Sequence, residues 1–195
     1  MEVVGANRMF RGVTVPMDGR REVMHQMKTY RKVHDENDDK TDFTVFIIHG
    51  HSKDWEIVQR HIESELKFAT IVSMTQPGGA TINAKVREAI WHDADCAVGI
   101  LSPDDHLADG TLNARPNVIY ELGLATGFFD YRYWGDTRLD AVLMLKHEST
   151  LVPTDLYGVE YIAYGGALGE DIRVTFDAVD RGLNRIFKQI SAYFS

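Results

Sequence analysis

The chain has 195 residues, 44% of them hydrophobic, which fits one domain with an appendage and leaves room for a real core. Its 21 basic and 29 acidic residues give a net charge of −8, and no basic stripe is long enough to follow a phosphate backbone, so direct nucleic-acid binding is not expected. A run of about 18 apolar residues that could span a bilayer is absent, MEVVGANRMFRG lacks a signal-peptide core, and a lone cysteine cannot close an intrachain disulfide; a cytoplasmic protein without a membrane partner is the expectation.

Residues 1–40 read as an N-terminal helical arm and acidic linker. Within Arg20 to Lys32, apolar Val23, Met24, Met27 and Tyr30 recur at helical spacing in one narrow stripe, and Asp35 to Asp42, DENDDKTD, reads as a solvated linker. Such an arm cannot form its own core and is expected to pack on the domain or on a neighbouring chain.

Residues 43–195 alternate strand and helix signals. FTVFII, ATIVSM, DCAVGILS, LDAVLML and GVEYIAY are β-branched or apolar runs suited to strands buried on both faces, with Cys96 a small buried hydrophobe in the third. Between and after them, apolar spacing predicts helices over Ser52–Phe68, Thr81–Trp91, Asn117–Phe129 and Asp171–Phe194. Repeated βαβ units with right-handed crossovers give an α/β fold: a flavodoxin-like, doubly wound, five-stranded parallel sheet. Ligands of such sheets sit outside the carboxyl ends of the strands, which points to HGHS (49–52), MTQPGGAT (74–81), SPDDHLADG (102–110) and KHESTLVP (146–153).

HGHS can present His49, Gly50, His51 and Ser52 to a ligand, with Ser52 or Asp54 capping the next helix and its free N–H groups favouring an anion. The Gly-x-Gly-x-x-Gly and Walker spacings of phosphate loops are absent, and two histidines without a recognisable third ligand predict no metal site. Pro77, Gly78 and Gly79 punctuate a loop that is either a plain turn or a lid over the edge. SPDD invites a phosphoreceiver reading, but strand one ends in His-Gly-His and strand five in Ala163-Tyr164-Gly165, where that chemistry needs an acidic pair and a lysine. Asp104 and Asp105 more simply begin a turn.

In RPNVIYELGLATGFF, Arg115 to Phe129, one carboxylate stands among apolar residues. Unpaired and buried it would cost several kcal/mol. Glu121 therefore reaches water, pairs with Arg115 or Arg87 across the domain, or has a task. Its helical neighbours are Asn117, Val118, Leu124 and Ala125, and Gly123 fits a helix that something approaches closely. The preferred reading puts Glu121 at the mouth of the ligand cleft, accepting hydrogen bonds from vicinal hydroxyls and facing a developing positive charge.

VFIIHGHS, QPGGATI, CAVGILSPDD, RPNVIYELGLATG and LYGVEYIAY, in this order, resemble the bacterial TIR-like (Toll/interleukin receptor) domains of the predicted nucleotide-binding protein type, found in anti-phage effectors triggered by cyclic nucleotides. The resemblance runs from Phe43 to about Phe187, and departs from the common pattern at Pro116 and Ser52. It implies an NAD hydrolase that breaks the nicotinamide–ribose bond, releasing ADP-ribose or a cyclic variant, with Glu121 catalytic and His49, Gly50, His51, Ser52, Gly78, Gly79, Ser102, Asp104 and Asn117 around the substrate. NAD is then a substrate and no cofactor is needed. The resemblance further implies a homo-oligomer through TIR–TIR contacts, with the Met74–Thr81 loop involved, and activation by a separate sensor protein or a cyclic nucleotide. A nucleoside 2-deoxyribosyltransferase, which also uses a glutamate, and a non-catalytic TIR scaffold are the competing readings.

Overall fold

The computed structural model describes residues 8–10, 13–15, 41–72, 82–133, 139–153, 160–165 and 172–194. The helix expected over Arg20–Lys32 and the Pro77–Gly79 loop lie outside them. Two short strands, β1 (Arg8–Phe10) and β2 (Val13–Val15), pair antiparallel in the N-terminal arm, where no strand was expected.

The domain is built on strands β3 (Thr41–His49), β4 (Phe68–Val72), β5 (Cys96–Leu101), β8 (Val142–His147) and β10 (Ile162–Tyr164). They form one parallel five-stranded sheet in the order β10-β8-β5-β3-β4, the flavodoxin-like order expected from the sequence. All six residues of β5 are buried, as are Phe43 to Ile48 of β3, because helices cover both faces of these central strands. At the edge strand β4 only Phe68 is buried.

One face carries α1 (Asp54–His61, continued by a π turn over Ile62–Leu66) and α4 (Ile172–Phe194). His61 joins them, its Nε2 lying 2.7 Å from Asp180 and its ring stacked 3.9 Å from that of Phe176. The other face carries α2 (Ile82–Glu88, continued by a π turn over Ala89–Asp93) and α3 (Pro116–Arg132). Arg132, buried at the end of α3, donates to the Ile90, Trp91 and Ala94 carbonyls, satisfying acceptors that the π turn leaves open. Two glycines let the layers close. A β-carbon on Gly99 of β5 would stand 2.2 Å from Leu122 Cδ2 of α3, and one on Gly182 of α4 would stand 2.8 Å from Leu143 Cδ1 of β8.

Several boundaries differ from expectation. The helix predicted over Ser52–Phe68 ends at Leu66, because Lys67 turns left-handed (φ 58°) and sends Phe68 into β4, where its ring packs 4.8 Å from that of Phe43. The strand predicted over 139–145 begins later and runs on to His147, since Lys146 pairs with Leu101 and His147 with Tyr164. The helix predicted over Asn117–Phe129 extends to Arg132, held there by the carbonyls it caps. Three two-residue strands, β6 (Asp105–His106), β7 (Leu112–Asn113) and β9 (Thr150–Leu151), add a small three-stranded sheet at the carboxyl edge that was not expected.

Candidate active site

The order of the strands reverses between β3 and β5, so the crevice lies where His49 and Leu101 end their strands. There the first loop is tied to the third. Asp104 Oδ1 accepts the Ser52 N–H at 2.9 Å, and Oδ2 accepts the His51 N–H at 3.1 Å and the Ser102 hydroxyl at 2.9 Å. An anion was expected at the free N–H groups of the next helix; the loop N–H groups just before it already hold a carboxylate from the chain itself. Gly50 permits the approach, since a β-carbon there would fall 1.6 Å from Asp104 Oδ2. Ser52 Oγ accepts the Asp54 N–H at 3.2 Å, so the serine serves the first turn of α1 while the N-cap position itself is Lys53.

Asp104 and Asp105 do not simply begin a turn. The Asp104 side chain reaches back to the first loop, and Asp105 opens β6. Ser102, 1% exposed, is turned toward Asp104, so these two expected substrate residues are engaged with each other and with the loop.

The two histidines have different partners. His49 Nδ1 meets the Gly50 carbonyl at 2.7 Å, and its ring stacks on Trp55 at 4.5 Å. The exposed His51 offers Nε2 to the Arg115 guanidinium. A guanidinium can only donate, so that nitrogen is the acceptor. Beside them the Tyr164 hydroxyl donates to Asp54 Oδ2 at 3.0 Å, joining the last strand to the start of α1. Burial first, then the Asp54 carboxylate, its hydrogen bond and Asp104 hold the Tyr164 phenol well above its ordinary range, so it stays a proton donor.

Arg115 also begins the helix that carries Glu121. It is extended (φ −61°, ψ 137°), as the residue before a proline prefers, and Pro116 takes the first helical position. Asn117 follows, exposed, in the first turn. One turn on, Glu121 is only 6% exposed, on a face shared with buried Val118, Leu122 and Ala125. Most of its surface is thereby withdrawn from bulk water. Arg115 turns to His51, and Arg87 is exposed on α2. Leu122 seats the helix against Gly99, fixing the height of Glu121 above the sheet. Gly123 has no atom within 4 Å of where its β-carbon would be, and with Gly127, Leu124, Phe128, Tyr131 and Trp91 it lines an open groove of about 350 Å³. Gly78 and Gly79 lie outside the described residues.

Residues 44–166, more than half of the chain, match the family described as CAP12/Pycsar effector protein, TIR domain. The chain belongs to this TIR family. No curated protein matches it. In this TIR domain the edge residues that sequence reasoning did not assign to the site are Arg115, Asp54 and Tyr164. Arg115 stood in the same motif as Glu121, and its place before proline was the available signal; the Asp54–Tyr164 bond joins residues 110 positions apart and left none. Among the described residues no helix is long and apolar enough to cross a membrane.

Proposed function

We propose that this TIR domain is an NAD glycohydrolase, and that the chain acts as an anti-phage effector. The observation that carries the reading is the burial of the Glu121 carboxylate on a helix that starts at the ligand edge. Cleaving the bond between ribose C1′ and the nicotinamide nitrogen leaves an oxocarbenium-like cation and releases nicotinamide as a neutral molecule, so no strong acid is required. One fixed carboxylate in a site of low dielectric stabilises that cation and holds the ribose hydroxyls. Water then adds at C1′ and loses a proton, giving ADP-ribose; capture by the adenine instead gives a cyclic product. NAD is consumed as substrate.

His49, His51, Ser52 and Asn117 border the space in front of Glu121 in this reading, while Ser102 and Asp104 act through the loop they hold. Such a reaction depletes a central metabolite, which suits an effector kept inactive until TIR domains assemble under a sensor protein or a cyclic nucleotide.

The test is incubation of the purified full chain with NAD, and separately with deoxynucleosides plus a free base, across a range of protein concentrations. Nicotinamide release that rises steeply with concentration supports the reading. Base exchange on deoxynucleosides supports a deoxyribosyltransferase, and assembly without either reaction supports a scaffold.

A further inference from the structure

The crevice holds a cation, Arg115, beside a carboxylate that other donors already occupy. The Arg115 guanidinium has five N–H donors, and the partner it meets among the described residues is the ring of His51 rather than a carboxylate. The nearby carboxylate, Asp104, is taken up by the His51 and Ser52 N–H groups and the Ser102 hydroxyl. This inverts the usual arrangement in α/β sheets, where the N–H groups of the first loop receive the phosphate. Here those groups already hold an anion. A second anion at the loop N–H groups would face the Asp104 charge at once, whereas the guanidinium beside them offers paired donors in the geometry that phosphate oxygens accept.

We propose that Arg115, braced by His51, binds the diphosphate of a dinucleotide at this edge, in place of the backbone of the first loop. The assignment rests on reading the site as one that cleaves NAD. Arg115 immediately precedes the first turn of the helix that carries Glu121, so the two side chains belong to one element at this edge. Specificity follows: a pyridine nucleoside without phosphates reaches Glu121 but forgoes Arg115.

Three measurements on the full chain test this. With NAD, Arg115→Gln is expected to raise KM about 10- to 100-fold, the worth of a charged hydrogen bond, with kcat little changed. With nicotinamide riboside, which has no phosphate, KM is expected to stay the same. Equal effects on both substrates, or none on either, overturn the proposal. Independently of any turnover, calorimetry should detect inorganic pyrophosphate binding to the unsubstituted protein and its loss in Arg115→Gln; no binding, or binding that survives the substitution, overturns it. In the unsubstituted protein, pyrophosphate should shield Arg115 from phenylglyoxal, read by peptide mass mapping, and equal labelling with and without pyrophosphate overturns it even where the Gln variant fails to fold. Should the protein cleave no NAD at all, the proposed activity fails, and the pyrophosphate measurements still decide the fate of the anion site.

Discussion

Asp104 Oδ2 lies 1.6 Å from the position that a β-carbon on Gly50 would occupy. Glycine at 50 is therefore a condition for the carboxylate to hold the loop. Gly50→Ala is expected to expel Asp104 and leave the His51 and Ser52 N–H groups without their anion, costing about 1–3 kcal/mol. Asp104→Ser on the Gly50→Ala background should cost little more than Gly50→Ala alone. Urea unfolding of the two single variants and the double variant measures this coupling, and strict additivity contradicts it.

Gly99 and Leu122 make the second close contact. Gly99→Ala would put a methyl group 2.2 Å from Leu122 Cδ2, so Leu122 must shift and its seat on the sheet is disturbed, with a loss of about 1–3 kcal/mol in unfolding free energy and a lower urea midpoint. Since Glu121 precedes Leu122, nicotinamide release should fall as well. Adding Leu122→Ala makes room for the new methyl group, and the double variant should unfold at higher urea than the sum of the two single changes implies.

Tyr133 and Tyr164 give an alkaline signature. Burial is the leading cause that lifts both phenols above the ordinary range, so the folded protein keeps protons that the unfolded chain releases. The sign is fixed by that difference. The contribution of each phenol is fully present below the unfolded tyrosine value of about 10 and is lost as pH rises beyond it, by about 1.4 kcal/mol per pH unit for each. Tyr164→Phe, which also gives up the bond to Asp54, should be about 1 kcal/mol less stable at neutral pH and should show a shallower decline above about pH 10. An unchanged alkaline slope would show that Tyr164 ionises freely.

The core strands were legible because burial on both faces writes itself as an unbroken apolar run: CAVGIL is buried at every position. Boundaries were less so, since they depend on partners. Lys67 ends its helix through a left-handed backbone, and Lys146 and His147 join a strand only because Leu101 and Tyr164 lie alongside. The small sheet of β6, β7 and β9 has two-residue strands, too short to show any period. At the site, the sequence placed HGHS and SPDD at the same edge through fold topology alone. That Asp104 would bond to the first loop lay beyond local reading, because the contact spans 52 positions and turns on a missing β-carbon. Glu121 stood out for the opposite reason, as a charge in an apolar helix whose cost was visible without any contact.

The measurement that bears most directly on the proposed activity is nicotinamide release from NAD by the Glu121→Gln full chain. Gln keeps the size of the side chain and removes the negative charge that the oxocarbenium-like cation requires. The rate is expected to fall at least 10²- to 10³-fold, the worth of about 3 to 4 kcal/mol of transition-state stabilisation, while the urea midpoint and the assembly state remain those of the unsubstituted protein. A folded Glu121→Gln protein that releases nicotinamide at close to the original rate would contradict the account, and Glu121 would then be no more than a buried carboxylate of α3.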